Sequence, residues 1–186
     1  MWPNMSLSGT LLIAPPKLKN NFWYKSVIFL TEHHKNGSMG LILNKRSQMS
    51  VSEFSEQVGI RLNIPGFIYL GGPVNIKALS MLHSSEWTCT NTMQINKQFA
   101  ISSAEYLLVR LGDGDSPKYF RLFLGLCGWA PKQLMEELKG TPPRDHSFSW
   151  LTASADHESV FENDLKDQWN SAVERSGNEF VQSILA

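Results

Sequence analysis

Cys127 is the one candidate nucleophile that its neighbours place for covalent chemistry in this 186-residue chain. It stands in Gly125-Leu126-Cys127-Gly128-Trp129-Ala130-Pro131-Lys132-Gln133-Leu134, after an apolar run that reads as a strand and before a helical pattern. A thiol at a helix N-terminus is favoured as thiolate by the helix dipole. His146 or His157, each with an aspartate neighbour, could act as its base. This makes a thiol-dependent hydrolase or transferase centred on Cys127 the enzymatic reading. A nucleophile elbow, however, needs a second glycine two positions on, where Trp129 stands. A small buried apolar cysteine satisfies the same sequence without any chemistry.

The second signature, Gly71-Gly72-Pro73-Val74, also follows an apolar run. Backbone amides around Gly71, Gly72 and Gly128 could form an anion nest at a helix start. Glycine is common in tight turns, which explains these residues more simply than a ligand does. Gly112-Asp113-Gly114 is no phosphate loop, because its two aspartates would repel the ligand. His33 and His34 are adjacent and would point to opposite sides of a strand. Asp156-His157-Glu158 reads as a solvated helix start, and the sequence has no H-E-x-x-H. No metal and no cofactor is expected. Glu136 and Glu137 diverge by about 100° on a helix and cannot act as one acid–base pair. His83 is expected to cap the carbonyls of a helix that it follows. By elimination, the binding candidates are Gly71, Gly72, Pro73, Gly128, Trp129 and Gln133. They would border a shallow apolar cleft in which Trp129, Trp150, Trp169, Phe148 or Phe161 meet a protein partner.

These residues need elements to hold them. Thr10–Ala14 is a short strand stopped by Pro15-Pro16. Ser26–Thr31 and Met39–Leu43 flank Lys35-Asn36-Gly37-Ser38, and Asn-Gly between β-rich runs predicts a hairpin whose central residues take positive φ. These strands are apolar on successive residues, which predicts burial on both faces. Ser50-Val51-Ser52-Glu53 is a capping box, with Val51, Phe54 and Val58 as the inner helix face and Gly59 as the stop. Phe67–Leu70 is a strand, followed by a short helix with Ile76, Leu79 and Leu82 inside. Ser102-Ser103-Ala104-Glu105 predicts a second capping box, opening a helix that Gly112 closes. Asp113–Pro117 is a turn and Tyr119–Leu124 a strand. Pro131 suits the first turn of a helix that buries Leu134 and Leu138 and ends at Gly140. Residues 141–145 read as a loop and 148–151 as a last strand. Phe161, Leu165, Trp169 and Val173 predict an amphipathic C-terminal helix over about 158–176, ended by Gly177.

Length, 42% hydrophobic residues and 18% charge fit one globular domain over residues 1–186. No apolar stretch is long enough to span a membrane. No secretory signal is evident and there are only two cysteines, so a reduced compartment is expected, the cytoplasm or an organelle matrix after removal of a transit peptide. The formal charge is zero, yet residues 1–144 carry a net +6 and residues 145–186 a net −6. An acidic end packed on a basic body explains this. The basic residues form no run longer than Lys45-Arg46, so direct nucleic-acid binding is not expected.

Taken in order, Gly9-x-Leu11-Leu12-Ile13-Ala14-x-Pro16, Ser26-Val27, Gly37-x-Met39-Gly40-Leu41-Ile42-Leu43-Asn44-Lys45, Gly71-Gly72-Pro73-Val74, Leu82-His83, Gly125-x-x-Gly128-Trp129-x-x-x-Gln133-Leu134-x-x-Glu137-Leu138 and Trp169 resemble the YqgE/AlgH family of small bacterial proteins with plant relatives. The resemblance covers roughly residues 7–177. It implies an α+β fold, a mixed α/β sandwich with a bifurcated, partly barrel-like and mostly antiparallel sheet. It assigns no catalytic residue, and some members are named as regulators of gene expression without a recognised DNA-binding motif. Members usually carry Asp at Asn20, Phe at Trp23, Tyr-Ala at Leu126-Cys127 and Gly-x-Gly-Gln at Ala130-Pro131-Lys132-Gln133. Pro131 and Lys132 therefore stiffen a loop that is small and open in relatives. The combined expectation is a non-enzymatic protein that acts through a protein partner, with an indirect role in gene expression.

Overall fold

In the computed structural model, residues 6–19, 21–139 and 149–186 are described. Asn20, Gly140, the 141–145 loop, His146 and Phe148 lie outside them. The strands are β1 (Thr10–Ile13), β2 (Val27–His34), β3 (Gly37–Ile42), β4 (Arg46–Ser50), β5 (Phe67–Leu70), β6 (Val74–Ser84), β7 (Thr92–Gln94), β8 (Phe99–Ser103), β9 (Phe120–Trp129) and β10 (Leu151–Ser154). The helices are α1 (Val51–Val58), α2 (Ala104–Gly112), α3 (Gln133–Lys139) and α4 (Gln168–Leu185), with a π-helical turn at Glu158–Glu162.

The strands run β10-β1-β2-β3-β9-β6-β8-β7, with β4 and β5 on a side branch. This is the expected α+β class, with a curled, mostly antiparallel sheet that forms a half-barrel. The branch point lies within β9. On one edge, β9 pairs in parallel with β5 at Phe123 and Leu124, and then antiparallel with β3 from Cys127 to Trp129. Its other edge pairs with β6 from Phe120 to Leu126, with a register shift between Val74 and Leu79. One long strand thus serves both branches, and it must bend where it changes neighbour.

The local chemistry explains several elements. The Ser50 capping box forms as expected: the Glu53 carboxylate accepts from the Ser50 N–H at 2.7 Å, and the Glu53 N–H donates to Ser50 Oγ at 3.1 Å. Gly59 closes α1 in the left-handed region at φ 68°. Val51 and Phe54 are buried, but Val58 faces solvent. The β2–β3 hairpin forms with His34 opposite Gly37. Its two loop residues are Lys35 and Asn36, and the positive φ falls one place later, on Gly37. The hairpin strands are buried almost without break, as a sheet covered on both faces requires.

Three expectations fail. Residues 74–84 form the eleven-residue strand β6 and not a helix; Ile76 is exposed, and His83 is buried within the strand and caps nothing. Ile76, Leu79 and Leu82 recur every three residues and so imitate a helix, while a register shift between Val74 and Leu79 interrupts the alternation expected of a strand. The second capping box is also missing: α2 begins after Ser103 with no side-chain cap, and the Ser102 hydroxyl instead meets His83 Nε2 at 2.8 Å and Thr92 Oγ1 at 2.7 Å. Finally, the C-terminal segment is split. The π-helical turn carries Phe161, and α4 starts at Gln168 and runs through Gly177 to Leu185.

The core has three parts. One fills the half-barrel, where Leu11, Phe29, Leu41, Leu82, Phe99 and Phe123 meet Trp169 and Ala172 of α4. A second lies under α3 around Cys127, Trp129, Leu134 and Trp150. A third is covered by α1 and α2 and includes Phe54, Met81, Leu107 and Leu122.

Candidate functional site

The two glycine signatures meet at the bend of β9. Leaving β5, Gly71 donates its N–H to the Leu124 carbonyl and accepts from the Ile42 N–H, both at 2.9 Å. A Cβ on Gly71 would lie 2.2 Å from the Gly125 carbonyl oxygen. One on Gly125, whose φ is 75°, would lie 2.3 Å from the Gly72 carbonyl oxygen. The glycines therefore allow two backbones to cross in contact while β9 transfers from β5 to β3. Gly128 is different: it is exposed, and a Cβ there would make ordinary contacts with Leu126 and Val74 at 3.9 and 4.0 Å. None of these glycines opens a helix, so no anion nest forms at a helix start.

Cys127 lies within β9, not at a helix N-terminus, and is 1% exposed. Its Sγ donates to the Gly71 carbonyl at 3.3 Å. Burial pushes the thiol far above its ordinary range, and the Lys45 charge only partly opposes this. Such a thiol stays protonated and out of reach of a substrate. His157 packs elsewhere, among Phe99, Tyr119 and Phe161.

Trp129 and Gln133 belong to an internal lock. The indole N–H groups of Trp129 and Trp150 both donate to Glu137 Oε2, each at 2.9 Å. Gln133 donates to Glu137 Oε1 at 2.9 Å and accepts from the Ala130 N–H at 2.9 Å. The lock ties α3 to the end of β9 and the start of β10. Trp129 is 7% exposed, with its indole N–H turned into the lock. Lys132 adopts φ 68°, the left-handed region that suits glycine.

A cavity of about 290 Å³ opens beside the crossing. It is lined by Thr31, Met39 and Leu41 of the hairpin, Leu79 of β6, Met93 of β7, Ile101 of β8, and Gly125 and Leu126 of β9. The lining is mainly apolar, and Glu32 and Asn91 supply polar groups. Met39 faces Gly128 in the β3–β9 register, and Leu126 faces Val74 in the β6–β9 register. Met93 of the lining is exposed, and so is Val74, which pairs with the lining residue Leu126, so apolar surface continues outward from the cavity at these two residues.

Of the expected cleft residues, Gly71 and Gly72 are buried at the crossing, Pro73 and Gly128 are exposed and do not line the cavity, and Trp129 and Gln133 form the lock. The cavity wall itself was not foreseen. A strand reading of residues 74–84, with Val74, Ile76 and Ala78 on alternate positions, would have pointed to it. Among the described residues, no group of three or more His, Cys, Asp or Glu side chains could hold a metal ion. No helix among them is long and apolar enough to cross a membrane.

A family model described as AlgH-like matches residues 11–181. A UPF0301 protein of Shewanella oneidensis is 32% identical over 184 residues, covering 95% of both chains. One from Photobacterium profundum is 29% identical over 181 residues, covering 93% of both. The solution structure of the AlgH protein from Pseudomonas aeruginosa superposes with a TM-score of 0.76 at 28% identity, covering 95% of this chain and 92% of that one. A crystal structure of protein DIP2367 from Corynebacterium diphtheriae shares the fold, with a TM-score of 0.68 at 23% identity, 92% of this chain and 87% of that one being covered.

Proposed function

We propose that this chain, which belongs to the AlgH-like family, is a binding protein that seats an apolar side chain of a protein partner in the cavity beside the glycine crossing. The observation that carries this reading is the joining of an open, mainly apolar cavity to exposed Met93 and Val74. Soluble proteins rarely leave such surface uncovered. Burying one Leu- or Phe-sized anchor there contributes about 1.5–3 kcal/mol. The crossing behind the wall is close-packed backbone, so the pocket is preformed and little ordering opposes binding. An indirect effect on gene expression would run through that partner.

Chemistry at Cys127 has no support in this geometry, because its thiol is buried and raised in pKa. The test is affinity capture with wild type and with Met93→Asp, which places a charge at the mouth. A specific protein retained by wild type and lost by the variant supports the reading. Identical retention by both overturns it.

A further inference from the structure

Around the connection from β3 to β4, positive charges lie against aromatic rings and not against carboxylates. Lys45 Nζ stands 4.3 Å from the Phe22 ring centre, the Arg46 guanidinium 5.5 Å from that of Phe67, and the Arg121 guanidinium 4.9 Å from that of Tyr69. Among the described residues the ion pairs are Glu32–His34, Arg110–Asp115 and Asp156–Arg175, so none of these three cations has a carboxylate partner there.

Arg121 is the costly member. It is only 8% exposed. Nη1 donates to the Leu43 carbonyl at 3.0 Å and Nη2 to the Phe161 carbonyl at 3.1 Å. A guanidinium carries five N–H groups, so three have no protein acceptor among the described residues. A buried cation without a counterion is strongly destabilising. Burial lowers the Arg121 pKa; Tyr69 works against that shift and the nearby Arg46 charge adds to it. Arg46 sits directly opposite Tyr69 in the β4–β5 register and is exposed. Tyr69 thus joins the buried guanidinium to the open one. Its hydroxyl has no hydrogen-bond partner among the described residues.

We propose that Arg46, Arg121 and Tyr69 form a binding site for a phosphate-type oxyanion, either free phosphate or the phosphoryl group of a small phosphoester. Two guanidinium forks match the oxygen spacing of such a group, and their hydrogen bonds are charge-assisted. Tyr69 adds a neutral donor. The anion supplies the negative charge that Arg121 lacks. In a phosphoester, the exposed Phe67 ring offers a surface for the organic part.

The test is a titration of the ¹⁵N-labelled full chain, read at the arginine Nε–Hε resonances. The probes are inorganic phosphate and phenyl phosphate, with chloride at matched ionic strength as control. The expected result is a saturable shift of Arg46 and Arg121 with at least one phosphate probe, and none with chloride. At least fivefold tighter binding of phenyl phosphate identifies a phosphoester; equal affinity identifies free phosphate. Arg46→Gln, at an exposed position, weakens binding at least tenfold while the Arg121 resonance keeps its folded position. Absence of saturation with both phosphate probes, or equal shifts with chloride, overturns the proposal.

Discussion

A methyl group added to Gly72 would lie 2.2 Å from the carbonyl carbon of Leu126. This contact fixes the path of β9 at the point where it leaves β5 for β3. It also holds Leu126 at the cavity wall. A change at Gly72 therefore acts on the fold itself. Gly72→Ala is expected to destabilise by more than about 3 kcal/mol, because the new Cβ meets the backbone of Leu126 and Cys127, which cannot swing aside as a side chain could. Urea denaturation checks this, and a loss below about 1 kcal/mol would mean that the two backbones can separate. Gly128→Ala, where a Cβ meets nothing closer than 3.9 Å, is the matched control and is expected to change stability little.

Lys132 holds φ 68° without being glycine. Lys132→Gly is expected to stabilise by about 0.5–1 kcal/mol, the usual relief for a left-handed position less the extra chain entropy of glycine. A thermal melt reports it, and a lowered midpoint would show that the lysine side chain contributes more than its backbone costs.

Glu137 accepts both indole N–H groups of Trp129 and Trp150. Glu137→Leu leaves both donors without this acceptor and is expected to cost about 2–4 kcal/mol. Glu137→Gln keeps one oxygen and should cost less than half as much. Equal losses in the two variants would mean that packing, and not hydrogen bonding, holds α3 in place.

Cys127 is expected to resist iodoacetamide in the folded protein at pH 8, while half-buried Cys89 reacts first. Peptide mapping after brief labelling distinguishes them. Rapid modification of Cys127 would show that the strand opens and would restore the thiol chemistry considered at the outset.

Burial, more than any other influence, holds His83 below the usual imidazole range; the Ser84 carbonyl and Glu86 pull weakly the other way. The unfolded chain takes up this proton first as pH falls through about 6.5. Stability is therefore undiminished above that pH and decreases toward pH 5. His33, also lowered by burial and by His34, adds a loss of the same sign. The denaturation midpoint should be lower at pH 5.5 than at pH 7.5, and His83→Asn should remove most of the difference. A wild-type midpoint that does not change over this range contradicts the assignment.

Much of the architecture was legible because its signals are local. The Ser50–Glu53 capping box, the Gly59 stop and the Asn36-Gly37 hairpin each reside in a few adjacent residues. Gly71 and Gly72 do lie against Gly125 and Leu126 of the second signature, but at neither place does a strand give way to a helix. The failures have a common physical cause. Glycine in a long strand looks like the end of a strand, so the sequence ends β9 at Leu124 and sets Cys127 just before a helix, whereas β9 runs on to Trp129 and α3 starts only at Gln133. Ile76, Leu79 and Leu82 have a helical spacing, and the register shift at the start of β6 breaks the alternation that would mark a strand. The cavity draws Met39, Leu79, Met93, Ile101 and Leu126 from five strands, and only the sheet register brings them together. The same holds for Arg46, Tyr69 and Arg121, which look unremarkable one by one.

The most direct test of partner binding is photocrosslinking with benzoylphenylalanine at Met93, at the cavity mouth, and separately at Lys166, on the turn before α4. The account predicts one discrete adduct from position 93 that is absent from position 166 and disappears when Leu126→Asp is added. The same adducts from both positions, or an adduct from position 93 that survives Leu126→Asp, would contradict it.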